Sequence, residues 1–187
     1  MDHDLHLPST GSVTTAAIVV HPHPAMGGDR HHPLVVAVAD GLTIAGVAAL
    51  RVDLRDPDVA LSARAIETVA AGLLRDTGAD RVVLVGYSWG AAVAAMATPA
   101  GLVARVLVAP PVTMLEPDVA SALRSGELPA LVLVPAHDQY GPPDSVRALL
   151  GDTPHATIEV VDGTDHFLAG AVARIATRAV AWISEQR

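Results

Sequence analysis

The chain has 187 residues, 51% of them apolar and 17% charged, with a formal net charge of −8; it is long enough for one domain with a real core, and its composition is globular rather than disordered. It contains no cysteine, lysine or asparagine, and all twelve basic residues are arginine, which excludes disulfides, thiolate nucleophiles, iron–sulfur and zinc–thiolate sites, Schiff-base lysines and the lysine of a phosphate-binding P-loop. The acidic balance and the absence of a basic face argue against a nucleic-acid partner.

In chain order, Met1-Asp2-His3-Asp4 is acidic and lacks the pattern of a signal peptide. A short apolar run over 16–20 reads as a strand, and a histidine- and proline-rich loop, 21–28, follows it. Residues 33–47 read as a helix, 48–53 as a strand, and 59–76 as a helix that places Val59, Ile66, Ala70, Leu73 and Leu74 on one face. Further strands are expected at 81–85, 104–109, 130–134 and 157–161. Helices are expected at 89–98, 117–124 and 143–150, with a last one at 168–185 whose buried face carries Leu168, Val172, Ile175, Ala179, Trp182 and Ile183. The strands are Val- and Leu-rich and nearly continuous in apolar character, as in a parallel sheet covered on both faces. Two longer apolar stretches, 33–50 and 89–111, are interrupted by Asp40 and Gly41 and by Pro99 and Arg105, so they suit buried elements better than membrane spans. The expectation is a soluble, cytoplasmic protein without a membrane partner, and a doubly wound, mostly parallel sheet formed by a single domain over 1–187. Ligands of such sheets bind at the carboxyl ends of the strands.

One of those ends carries Gly86-Tyr87-Ser88-Trp89-Gly90, a G-x-S-x-G pattern between a strand and a helix. The serine of such a pattern sits on a tight, strained turn, the glycines keep side chains out of the crowded space, and the helix N-terminus faces developing negative charge. The pattern, its context and the order of candidate partners resemble the α/β-hydrolase superfamily. His21-Pro-His-Pro-Ala-Met-Gly-Gly28 is similar to the HPHP-x-x-GG loop of small, cap-free hydrolases in it, which are dienelactone hydrolase-like or serine esterase-like. The resemblance runs from about residue 16 to the C-terminus. It implies an α/β-hydrolase fold without a large cap, since the connection where lids commonly insert spans only 110–129.

The resemblance also assigns roles. Asp138, in Pro135-Ala-His-Asp138 after a strand, matches the acid, and His166, in Asp165-His166-Phe167, matches the catalytic histidine. Ser88 would be the nucleophile, His166 its general base, and Asp138 the group that holds the imidazole. Asp165 and Asp162 are rivals for the acid role that sit too close to His166 in sequence and suit capping of the last helix instead. His137 and His155 read as ordinary loop histidines, and Asp144 as a helix start.

An oxyanion hole needs the backbone N–H of Trp89 and a second from the 21–28 loop. Pro22 and Pro24 have none, which leaves His23, Ala25 or Met26; the resemblance to the superfamily, through its HG-x loop, implies His23, with Met26 as the runner-up. After Gly28 the chain departs from the subgroup, with Asp29-Arg30-His31-His32 in place of a Thr-Met-x-Asn-Lys type of run, which leaves open any substrate contact by this segment. His21, His23, His31 and His32 could in principle bind a metal, but the reading preferred is that the first pair shapes the loop and the second is exposed. No cofactor and no metal is expected.

The pocket walls are expected from Met26, Trp89, Tyr87, Val112, Met114, Tyr140 and Phe167. The expected partner is a small-molecule ester or related acyl substrate, and a homodimer remains open. A thioesterase, lactonase or peptidase could use the same three residues, and a catalytically idle, hydrolase-like binding protein is the reading from another class.

Overall fold

A computed structural model describes residues 2–151 and 153–186. Seven strands form one sheet: β1 (His3–His6), β2 (Thr15–Val20), β3 (Ala48–Val52), β4 (Arg81–Tyr87), β5 (Leu102–Val108), β6 (Ala130–His137) and β7 (Ala156–Asp165). Their spatial order is β1-β3-β2-β4-β5-β6-β7. Every neighbouring pair is parallel except β1 with β3. Five helices connect the strands, α1 (Pro33–Ile44), α2 (Val59–Thr77), α3 (Trp89–Met96), α4 (Pro117–Ser125) and α5 (Pro143–Leu150), and α6 (Val172–Glu185) follows β7.

Alternation along the strands divides the core in two. Ala17 and Val19 of β2 pack with Leu34, Val38 and Leu42 of α1 and with Ile175, Ala179 and Ile183 of α6. Ala16, Ile18 and Val20 face the other way, toward Ile66, Ala70 and Leu73 of α2 and Ala91 and Val93 of α3. Each face of the sheet is therefore covered by helices; β2 and β3 are buried throughout and β4 is buried beyond Arg81. Small side chains let α3 approach the sheet: a Cβ on Gly90 would lie 2.5 Å from the His21 carbonyl oxygen.

Several boundaries differ from those read in the sequence. β1 has no strand signal of its own; it is a short edge strand with alternating exposure, held antiparallel to β3. β7 runs through Asp165 and is largely half-buried rather than covered on both faces, because it is the opposite edge. α1 stops at Ile44, ahead of Gly46, whose φ of +84° breaks the helix. The last helix begins at Val172, not at residue 168. Leu168 has a φ of +60° and Gly170 one of +70°, so the chain turns between His166 and the helix while the Leu168 side chain still enters the core. Its apolar periodicity reported burial and not helix.

No helix among the described residues is long and apolar enough to cross a membrane. The connection from β5 to β6 holds a single 3₁₀ turn, Val112–Met114, and α4. Among the described residues no large lid covers the carboxyl ends of the strands.

Candidate active site

β4 ends at Tyr87 and α3 begins at Trp89, so Ser88 must reverse the chain by itself. It does so with φ +56° and ψ −120°, a region that non-glycine residues avoid. The turn is over-determined. The Ser88 N–H donates to the Val108 carbonyl at 2.8 Å. A Cβ on Gly86 would sit 2.1 Å from the Gly90 carbonyl oxygen, so only glycine fits there.

Ser88, His166 and Asp138 converge, although they come from three separate connections. Ser88 Oγ lies 2.8 Å from His166 Nε2. His166 Nδ1 lies 2.9 and 3.0 Å from the two oxygens of Asp138. The Asp138 carboxylate is wholly buried and the imidazole 7% exposed. Asp138 Oδ1 also accepts the N–H groups of Tyr140 at 2.8 Å and Gly141 at 2.9 Å, which fix the carboxylate from behind. Because a carboxylate can only accept, it fixes the proton of a neutral His166 on Nδ1 and leaves the Nε2 lone pair toward the serine.

The imidazole is enclosed by aromatic rings. Tyr140 meets it edge-on at 4.7 Å and Phe167 at 5.8 Å. The Tyr87 hydroxyl donates to the His166 carbonyl at 2.7 Å. Burial, with the charges of Asp138 and Asp165 added, pushes the Tyr87 hydroxyl well above its ordinary range, so it stays a neutral donor. The rival acids lie elsewhere. Asp165 accepts the Phe167 N–H at 3.0 Å, and the Asp162 carbonyl accepts from Arg174 at 2.7 Å. Neither caps α6, whose N-cap is Ala171. His137 and His155 are exposed, and Asp144 lies in the first turn of α5.

The first loop separates the two candidate oxyanion donors from the rest. Met26 N–H is committed to the His23 carbonyl at 3.0 Å, and Ala25 N–H to His23 Nδ1 at 3.2 Å, which removes Met26 as a donor into the site. The His23 N–H has no hydrogen-bond partner among the described residues. Trp89 is the first residue of α3, where an N–H has no intrahelical acceptor. A Cβ on Gly28 would collide with the Pro22 carbonyl at 2.1 Å, so the glycine pair lets this loop fold back on itself.

The loop histidines have separate tasks. His21 is fully buried; its Nε2 accepts the Leu54 N–H at 2.9 Å, which leaves Nδ1 to donate to the Pro22 carbonyl at 2.6 Å. His31 is exposed, whereas His32, expected to be exposed too, is half-buried and caps α1. Among the described residues no three metal-ligating side chains form a group that could hold an ion.

A cavity of about 700 Å³ opens over Ser88 and His166. Of the residues read from the sequence as pocket walls, Met26, Tyr87, Trp89, Met114, Tyr140 and Phe167 line it. Val112 does not; it packs against the core instead. Sequence reasoning missed the segment from Pro57 to Ala60, together with Ala92, Leu115, Glu116 and Val119. The signal for the first was available, since 57–60 follow the carboxyl end of β3. The Trp89 indole N–H donates to the Pro57 carbonyl at 2.9 Å and so holds that segment against the site.

Three solved structures share this architecture. An alpha-beta serine hydrolase homologue from Coxiella burnetii superposes with a TM-score of 0.85 at 22% identity, covering 97% of this chain and 90% of its own. An a/b serine hydrolase without lid from Xanthomonas campestris gives 0.79 at 22% identity, covering 97% and 86%. Est1E from Butyrivibrio proteoclasticus, with ferulic acid bound, gives 0.83 at 15% identity, covering 99% and 94%. At these identities the likeness is one of fold. No curated protein matches the sequence. The sequence profile described as the alpha/beta hydrolase family, however, matches residues 17–183. That span takes in the serine turn, both of its partner residues and most of the sheet, and the protein is therefore a member of the alpha/beta hydrolase family.

Proposed function

We propose that the protein is a serine hydrolase that cleaves carboxylic esters through an acyl-enzyme on Ser88. The observation that carries the reading is the unbroken hydrogen-bond path from Ser88 Oγ through His166 to the buried Asp138 carboxylate. In the first step Ser88 Oγ attacks the ester carbonyl carbon while His166 Nε2 takes its proton. The tetrahedral oxyanion accepts from the N–H groups of Trp89 and His23, each worth on the order of 10²–10³ in turnover. Collapse expels the alkoxide, which takes the proton from His166 and leaves as the alcohol. Water then repeats the sequence on the acyl-enzyme: His166 takes a proton from the water and returns it to Ser88 as the acid is released.

The cavity supports a neutral substrate with a modest apolar acyl or alcohol group. Its walls are mainly apolar and aromatic; among the described residues no arginine lines it, and the charged residues that do are the carboxylates Asp58, Glu116 and Asp118. Anionic esters should therefore be poor substrates.

A panel of p-nitrophenyl esters of graded chain length, with Ser88→Ala as control, tests the reading. Loss of turnover by a factor of about 10⁶ in the variant is expected, together with fluorophosphonate labelling of wild-type Ser88. Unlabelled serine and ester hydrolysis unaffected by Ser88→Ala would overturn it, the first of these favouring the idle binding protein.

A further inference from the structure

The four residues after the glycine pair form a built turn. Asp29 Oδ1 accepts the His31 N–H at 2.8 Å and its carbonyl accepts the His32 N–H at 3.1 Å. Arg30 ion-pairs with Asp4 and with Asp53, and the Arg30 carbonyl accepts from Arg51 at 3.0 Å. This clamp on β1 and β3 fixes His32 at the N-cap of α1, where its Nδ1 accepts the Leu34 N–H at 3.2 Å. A ring nitrogen that accepts cannot carry the proton, so in the neutral ring the proton is on Nε2. Burial lowers the affinity of His32 for a second proton and His21 adds to this, while the Asp29 charge opposes it.

The ring of His32 lies 5.1 Å from that of Tyr87 and lines the same cavity as Ser88 and His166. Nε2 has no hydrogen-bond partner among the described residues. Nor is it sealed off: among the described residues, Thr15 Oγ1 is the one buried side-chain polar atom without a partner. Nε2–H is therefore a fixed, solvent-reached donor on a residue of the cavity wall. The oxyanion has its own two candidate donors, so this third one is spare.

We propose that His32 Nε2–H binds substrate and selects esters that carry an uncharged oxygen acceptor, an ether or hydroxyl, beyond the scissile group. This rests on the hydrolase reading above. A neutral donor in a cavity without arginine fits an uncharged oxygen rather than a carboxylate or phosphate.

Two isosteric pairs test it, in each of which one CH₂ becomes O: 2-methoxyethyl against n-butyl acetate, and p-nitrophenyl methoxyacetate against butyrate. The variant is His32→Ser, because serine is a good N-cap and keeps the acceptor for Leu34 N–H while removing Nε2–H. The quantity read is the kcat/KM ratio of ether to alkyl ester, wild type against variant, so that intrinsic reactivity cancels. A fall of about tenfold in that ratio for at least one pair is expected. An unchanged ratio in both pairs, even with lower activity on all four esters, gives His32 a capping role only and overturns the proposal. Should His32→Ser not fold, His32→Thr likewise keeps the cap acceptor while removing Nε2–H and is read in the same way. ¹⁵N shifts of the ring must also report Nε2 as the protonated nitrogen; the opposite tautomer overturns the proposal. Wild-type protein inactive on all four esters and unlabelled by fluorophosphonate sinks the hydrolase reading and this one with it, whereas an active enzyme with no shift in selectivity sinks this one alone.

Discussion

Replacing Asp138 by asparagine separates what the carboxylate does for the proton path from what it does for the fold. Oδ1 of an asparagine can go on accepting the N–H groups of Tyr140 and Gly141, now at 2.8 and 2.9 Å. The amide NH₂ would then face His166 Nδ1, where an oxygen stands 2.9 Å away. A donor there forces Nδ1 to accept, the ring proton moves to Nε2, and Nε2 points at Ser88 Oγ with nothing to take the serine proton. We expect kcat on p-nitrophenyl acetate to fall by about 10⁴, equivalent to about 5.5 kcal/mol of activation free energy. The midpoint of urea unfolding should move little, since the isostere keeps the buried backbone bonds. Asp138→Ala behaves differently. It leaves the His166 and Gly141 N–H groups buried without acceptors, at about 1–3 kcal/mol each, so both kcat and the unfolding midpoint should drop. The assay is steady-state kinetics beside urea denaturation on both variants. An Asp138→Asn enzyme within tenfold of wild type would refute the reasoning, because the wrong tautomer cannot act as a base.

Three other outcomes follow from the geometry. Ala92 is 1% exposed yet lines the cavity; Ala92→Leu should lower kcat/KM for the longest esters of a chain-length series by about tenfold or more while sparing acetate, and an unchanged series would mean that the acyl chain lies elsewhere. Arg105 is buried and donates to the Ala94 and Ala97 carbonyls at the end of α3, each at 2.9 Å; Arg105→Met should cost about 2 kcal/mol in urea unfolding by orphaning them, and wild-type stability would mean that the desolvation cost of the guanidinium cancels its bonds. His32 has a lowered pKa, so below about pH 6.5 the unfolded chain takes up a proton that the folded chain resists. Its contribution is complete above that pH and is lost as pH falls toward the lower folded value, so a pH series of unfolding free energies should show a shallower acid decline in His32→Ser than in wild type.

Local pattern sufficed wherever the determinant was local. The G-x-S-x-G turn is steric, and Gly86 and Gly90 declare it because no Cβ fits at either position. The buried strands and α2 follow from apolar runs and helical spacing, and the connection of 110–129 leaves no length for a large lid. The partners Asp138 and His166 were legible from their places after strands together with a family resemblance, but their approach to Ser88 was not: they meet it only because parallel strands deliver three loops to one edge of the sheet. The same limit explains what was misplaced. Leu168 keeps a helical spacing outside any helix, because burial can be satisfied by a turn as well. β1 reads as a polar tail until β3 offers it hydrogen-bond partners. The Met26 N–H bonds to the His23 carbonyl and Val112 packs against the core, contacts that no local pattern declares. His32 illustrates the division best. The sequence supplies an imidazole at a helix start, while its tautomer and its place in the cavity depend on Leu34, Tyr87 and the Arg30 clamp to Asp4 and Asp53, contacts that exist only once distant parts of the chain have packed.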